Sequence, residues 1–203
     1  FVGIHFHIGS QITNLDVYKN LCVRVNEFAA WFEDRGFMIK VLNVGGGLGI
    51  DYHHPDGQIP DFSAYFKIFN DFLTVRSNQE VHFELGRALV GQCSSLISRV
   101  LYVKNGKKKN FIILDAGMTE LMRPALYQAY HKIENLSKGE GAAVKYDVVG
   151  PICESTDCFG KEVELPETQR NDLIAIRSAG AYGEVMTSHY NLRDAVHFAY
   201  SAE

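Results

Sequence analysis

Cysteine is scarce. Four residues (Cys22, Cys93, Cys153 and Cys158) in a chain of 203 are too few for a disulfide framework, and reduced thiols are the plain reading. Cys153 and Cys158 have neither a second pair nor a nearby histidine to complete a zinc site, so no metal is expected. Apolar runs of about 18 residues are lacking, which speaks against a membrane-spanning helix. An excess of one charge is lacking too: 20 Lys plus Arg face 24 Asp plus Glu, for a net charge of -4. That balance excludes a nucleic-acid surface or an anionic membrane as the main partner. The opening residues, Phe1 to His5, hold no initiator Met, basic segment or signal-peptide core. They read as a strand already under way, so an upstream segment and a cytoplasmic location are expected. What is present, 46% hydrophobic and 22% charged residues, is the profile of a globular protein of one or two domains.

The first 87 residues alternate between two periodicities. Residues 1–8 form a β-type run, and Thr13-Asn14 then offers a helix N-cap. Leu15, Tyr18, Leu21, Cys22, Val25, Phe28, Ala29 and Phe32 follow at helical spacing, with Gly36 as the stop. Residues 40–44 predict a second strand leading into Gly45-Gly46-Gly47. A second helix is predicted from Asp61, with Phe62, Tyr65, Phe66, Phe69 and Leu73 on one face. Residues 81–84 predict a third strand, ending at Gly86-Arg87. Strand–helix–strand alternation implies parallel strands with helical crossovers. After residues 88–92 the pattern becomes β-type: strands at 96–104 and 111–114 around an Asn105-Gly106 turn, then at 143–149, 173–178 and 196–200. Lys107-Lys108-Lys109, just past that turn, reads as a solvated surface.

Each predicted parallel strand ends in residues suited to chemistry: His7-Ile8-Gly9-Ser10, Gly45-Gly46-Gly47 and Glu84-Leu85-Gly86-Arg87. That edge is where α/β sheets and barrels bind ligands. Glycines there suit a phosphate held by backbone N–H groups and, equally, a tight turn. Arg87 suits an oxyanion. His5 and His7 share one side of their strand, where a hydrogen-bonded interior histidine is the plainer reading for His5. Glu84 follows an apolar strand, so it needs a cationic partner, a structural arginine or a protonated cofactor ring. Later come Met122-Arg123-Pro124-Ala125-Leu126-Tyr127, Gly150-Pro151-Ile152-Cys153-Glu154-Ser155 and Ala179-Gly180-Ala181-Tyr182-Gly183. Singly, these read as a turn, a structural cysteine and an aromatic filler.

Taken together and in this order, the motifs resemble the diaminopimelate decarboxylase family, pyridoxal-phosphate enzymes of the alanine-racemase fold type, from Gly3 to Arg193. The resemblance implies that residues 1–88 are the last three βα units of a (β/α)8 barrel and residues 89–203 a C-terminal β-domain. It implies pyridoxal 5'-phosphate as cofactor: His7 stacked on the ring, Ser10, Gly46, Gly47, Gly86 and Arg87 around the phosphate, and Glu84 on the pyridine nitrogen. It implies a small amino-acid substrate whose carboxylate meets Arg87, Arg123 and Tyr127 and whose distal ammonium meets Glu154. Tyr182 would touch both cofactor and substrate. Cys153, a catalytic candidate beside His7, would donate a proton, and Cys153 and Glu154 would serve a partner subunit, making a homodimer. Leu85 stands where the family has Pro. None of the eleven lysines lies in the family's Lys-Ala-Asn-like context of the cofactor-bearing lysine. A (β/α)8 barrel needs about 250 residues, so the chain is expected to be a C-terminal portion, inactive by itself. The alternatives are a related ornithine, arginine or carboxynorspermidine-type decarboxylase, which would leave Arg123 without a distal carboxylate if its substrate has only an amine, and a non-catalytic phosphate- or cofactor-binding module. A dinucleotide-binding domain is disfavoured, because Gly45-Gly46-Gly47 lacks the Gly-x-Gly-x-x-Gly spacing.

Overall fold

The computed structural model describes residues 1–139 and 141–201. They form two compact units, one of Phe1–Asp51 with Gly57–Val90, the other of Tyr52–Asp56 with Gly91–Glu203. The short segment Tyr52–Asp56 therefore packs with the later residues, although it lies inside the sequence of the first unit.

The first unit is built on three short parallel strands, β1 (Gly3–His5), β2 (Val41–Asn43) and β3 (Glu80–His82), in the order β1-β2-β3. The register pairs Ile4 with Leu42 and Leu42 with Val81. Helices α1 (Asp16–Glu33) and α2 (Phe62–Phe72) are the crossovers. Helix α1 buries Tyr18, Leu21, Cys22, Val25 and Ala29, an i, i+3, i+4, i+7 stripe, in one cluster with Leu42 of β2, Val44 just past it, and Tyr65, Ile68 and Phe69 of α2. Each fully buried aliphatic side chain in that layer contributes about 1.5–3 kcal/mol. Asn14, one residue ahead of the N-cap position at Leu15, accepts the Asp16 N–H through its side chain at 3.0 Å. The helix stops as expected at Gly36, whose φ of +81° lets Phe37 N–H return to the Phe32 carbonyl. Asp61 caps α2 by accepting the Ala64 N–H at 2.9 Å. The third strand ends earlier than predicted, so Phe83 and Glu84 lie beyond it, with Glu84 N–H still donating to the Gly45 carbonyl.

The second unit carries a six-stranded sheet in the order β6-β9-β4-β5-β7-β8. Its strands are β4 (Leu96–Asn105), β5 (Asn110–Leu114), β6 (Ile133–Asn135), β7 (Ala143–Val149), β8 (Cys158–Pro166) and β9 (Leu173–Ile176). Within this sheet, only β5 and β7 pair in parallel among the described residues. Two short helices, α3 (Arg87–Val90) and α4 (Arg123–Tyr127), flank the strands in sequence, α3 belonging to the first unit. A register shift after Val100 lets one long strand, β4, pair first with β9 and then with β5. The buried side chains of Val100, Ile112, Leu114, Val148, Ile174 and Ile176 form the core.

Two expectations differ from the structure, and two strands are found that were not predicted. The hairpin loop is Gly106–Lys109, closed by Gly106 N–H to the Lys109 carbonyl, with Asn105 still paired in β4; the three lysines are thus in the turn, not past it. Residues 196–200, all described, form no strand. Strands β6 and β8 carry no clear period-two signal. β6 is three residues long, and β8 is broken at Gly160-Lys161-Glu162 by a bulge in which Glu162 takes φ +52°.

That bulge is held by Asp147. Its side chain accepts the Glu162 N–H at 2.9 Å and pairs with Lys109 at 2.9 Å. Desolvation pushes the Asp147 carboxyl upward, but Lys109 and the Glu162 amide outweigh it and hold the group below its ordinary value. A lowered folded value means stability that is present above the ordinary aspartate range and lost as pH falls through the folded value. Because Lys109 is half-exposed, solvent screening keeps the contribution of the pair small. The urea midpoint should therefore fall on acidification, and Asp147→Asn should remove that part of the slope; an unchanged slope in the variant would assign the acid sensitivity elsewhere.

Candidate active site

In the first unit the C-terminal ends of β1, β2 and β3 bring the expected residues to one edge. Glu84 is the centre of the group. Its Oε1 accepts from Asn43 Nδ2 at 3.0 Å, and its Oε2 lies 3.3 Å from His5 Nε2. Asn43 in turn accepts the Gly45 N–H at 2.9 Å, so the Gly45 turn fixes the amide that fixes the carboxylate. The Asn43 hydrogen bond first, and then the neighbouring His5 and His7 rings, hold the Glu84 carboxyl below the usual glutamate range. The expectation of an apolar setting for Glu84 is corrected: the side chain is 53% exposed in this chain. His7 and Ser10 are exposed, and Arg87 donates to Ser10 Oγ at 3.0 Å across 77 residues of sequence.

The glycines separate into two kinds. A Cβ on Gly46 would stand 2.1 Å from the Glu84 carbonyl oxygen, and one on Gly47, at φ +99°, 2.5 Å from the Gly9 carbonyl oxygen. Their lack of a side chain is demanded by the close approach of neighbouring backbones. Gly86 differs, because a Cβ there meets nothing within 4 Å and its φ is ordinary. Gly46→Ala is accordingly expected to destabilise the fold by about 1–3 kcal/mol, seen as a melting temperature several degrees lower. Gly86→Ala should leave the melting point unchanged; a comparable drop at both positions would contradict this division.

In the second unit, Arg123 opens α4 and is only 7% exposed. It donates to the Tyr52 hydroxyl at 3.0 Å and to His131 Nε2 at 2.8 Å, while His131 Nδ1 donates to the Arg177 carbonyl at 2.8 Å. Tyr127, at the other end of α4, is exposed. Tyr182 is exposed and takes φ +63°. It lies between Ala181 and Gly183, where a Cβ on the glycine would meet the Ala179 carbonyl oxygen at 2.2 Å. Cys153 and Glu154 sit exposed on the loop between β7 and β8, and Glu154 Oε1 accepts from the Tyr190 hydroxyl at 2.6 Å.

One residue outside the recognised motifs organises this loop. Asp157 is buried, and its carboxylate accepts Ile152 N–H and Met118 N–H, both at 2.7 Å. Desolvation raises its carboxyl above the ordinary value. The signal that could have found it is an aspartate three residues after a Cys-Glu pair, at the close of a Gly-Pro turn. Asn43 was overlooked likewise, though a lone amide at the end of an apolar strand is unusual.

A strand-end carboxylate, two histidines and a Ser–Arg pair thus gather at the edge of a parallel α/β sheet, followed in the chain by a β-rich unit. The profile of the family described as pyridoxal-dependent decarboxylase, C-terminal sheet domain, matches residues 15–180. The chain belongs to this family, whose cofactor is pyridoxal 5'-phosphate. It is 60% identical over 195 residues to the diaminopimelate decarboxylase of Bacteroides thetaiotaomicron, covering 96% of this chain and 50% of that one. It is 42% identical over 193 residues to the diaminopimelate decarboxylase of Neisseria meningitidis serogroup B, covering 95% and 46%. Its structure is similar to that of a Helicobacter pylori diaminopimelate decarboxylase solved in complex with L-lysine, with a TM-score of 0.85, 37% identity, and 96% and 48% of the two chains covered. The chain spans about half the length of the curated relatives it matches.

Proposed function

We propose that this chain supplies the C-terminal half of a diaminopimelate decarboxylase, which removes carbon dioxide from meso-diaminopimelate to leave L-lysine. Residues 1–88 are then the last three βα units of a (β/α)8 barrel, and residues 89–203 the C-terminal β-domain of a cytoplasmic homodimer.

The observation that carries this reading is the state of Glu84. A carboxylate kept ionised by Asn43 and His5, with more than half of its surface open, fits a protonated pyridine nitrogen. The cofactor's phosphate is fitted by Arg87 and Ser10, already hydrogen-bonded to each other, and by Gly86, where an added Cβ would fill open space. Gly46 and Gly47 hold the backbone of that edge close. His7, exposed on the same edge, supplies a flat ring for stacking.

When bound, pyridoxal phosphate supplies the electron sink that loss of carbon dioxide from an amino acid requires. Glu84 keeps a proton on the ring nitrogen. Arg87, Arg123 and Tyr127 bind substrate carboxylate, with Arg123 oriented by Tyr52 and His131. Glu154 receives the distal ammonium, and Tyr182 orients substrate and cofactor. Cys153 delivers the proton that replaces the departing carboxyl group. Cys153 and Glu154 serve the site of the partner subunit.

The test is a chimera in which this chain replaces the corresponding half of the Bacteroides thetaiotaomicron relative. It should release carbon dioxide from meso-diaminopimelate and yield L-lysine. Preference for ornithine or arginine, or a folded, cofactor-loaded chimera without decarboxylation, would overturn the reading.

A further inference from the structure

Tyr190 has no part in the roles above, yet its environment is costly to build. It stands at the start of a turn in which Asn191 and Leu192 both take φ of 57°, and Leu192 is 97% exposed. Consecutive left-handed non-glycine residues persist only where the surroundings over-determine them. Here they do. Ser188 N–H donates to the Thr119 carbonyl at 3.0 Å, His189 Nδ1 donates to the Arg193 carbonyl at 2.9 Å, and the Arg193 guanidinium reaches the Asp115 carbonyl and the Glu120 carboxylate.

The loop carrying Glu154 is fastened to the same place. Asp157 ties Ile152 to Met118, and the backbone bonds Glu154 N–H to the Ile152 carbonyl and Asp157 N–H to the Glu154 carbonyl close the turn around it. Residues 115–120 are thus common ground for both segments. Two loops 36 residues apart in sequence are brought together, and their meeting point is the 2.6 Å hydrogen bond from the Tyr190 hydroxyl to Glu154 Oε1. Among the described residues this is the only side-chain hydrogen bond that Glu154 makes. Without it, an exposed glutamate with three rotatable bonds has no fixed direction. The bond also lifts the Tyr190 hydroxyl above its ordinary value.

We propose that Tyr190 is the positioning residue for Glu154: its hydroxyl holds one carboxylate oxygen so that the other is presented to the distal ammonium of a diamino-acid substrate. This rests on the proposed reading of Glu154. The strained turn exists to deliver that hydroxyl, and specificity for a second amine is built on a residue that never touches the substrate.

The experiment compares Tyr190→Phe, Glu154→Ala and the double variant in the complete, cofactor-loaded enzyme. Tyr190→Phe keeps the ring and removes one oxygen, and an unchanged melting temperature verifies the fold. It should raise KM for meso-diaminopimelate about tenfold, the scale of freeing one side chain and losing one hydrogen bond to a charged group. Its kcat should stay within about twofold. In the Glu154→Ala background the same substitution should change KM no further. An unchanged KM in Tyr190→Phe, or a full additional rise in the double variant, would overturn the inference while leaving the reading of Glu154 intact. If Glu154→Ala itself leaves KM unchanged, the ammonium role of Glu154 falls and the inference falls with it.

Discussion

Glu84→Gln should lower the turnover of the complete enzyme by about 10²–10³-fold, the scale of losing one preorganised electrostatic partner, while cofactor remains bound. The glutamine side chain can still accept from Asn43 through its carbonyl oxygen, so the 3.0 Å contact and the Gly45 turn behind it survive. What is lost is the negative charge, and with it the ability to keep a pyridine nitrogen protonated. Stopped-flow turnover measured alongside the absorbance of bound cofactor separates the two effects. A variant with near-normal turnover would take Glu84 out of this role. One that releases its cofactor would instead make Glu84 a binding residue.

Arg123→Ala is expected to reduce kcat/KM on meso-diaminopimelate by a factor equivalent to about 2–5 kcal/mol, because a buried charge pair is truncated and its partner left unmatched. The guanidinium is 7% exposed and donates to Tyr52 and His131, so removing it also strips two buried acceptors of their donor. A purely structural role and a carboxylate-reading role therefore predict different patterns. If Arg123 reads a distal carboxylate, the loss on meso-diaminopimelate far exceeds that on a diamino acid without one. Equal losses on the two substrates, accompanied by a lower melting temperature, would assign Arg123 to the fold.

The helices were legible because their signal is local. The Tyr18–Ala29 stripe, the start of α2 at Asp61 and the Gly36 stop each act within a few residues and are found where the pattern puts them, while the N-cap of α1 falls one residue past Asn14, on Leu15. Strand β8 was not legible, since its bulge at Glu162 breaks the alternation on which strand reading depends, and what holds the bulge is Asp147 on another strand. Gly46 and Gly86 look alike in sequence. One is there because a neighbouring carbonyl stands 2.1 Å from its missing Cβ, the other has open space, and only the packed backbone distinguishes them.

The sequence by itself determined the parallel, helix-crossed character of the first 87 residues, the β-rich character of the rest, and the motifs that carry the family resemblance. These follow from periodicity, turn chemistry and residue type, which are properties of short stretches. The tertiary structure alone decided that Asn43 and His5 hold Glu84, that Tyr52 and His131 hold Arg123, and that Asp157 and Tyr190 organise the loop of Cys153 and Glu154. Most of those contacts join residues tens of positions apart, and a hydrogen bond about 3 Å long forms only when register and loop path bring both partners to one place. No local pattern encodes that coincidence; the packing of each unit does.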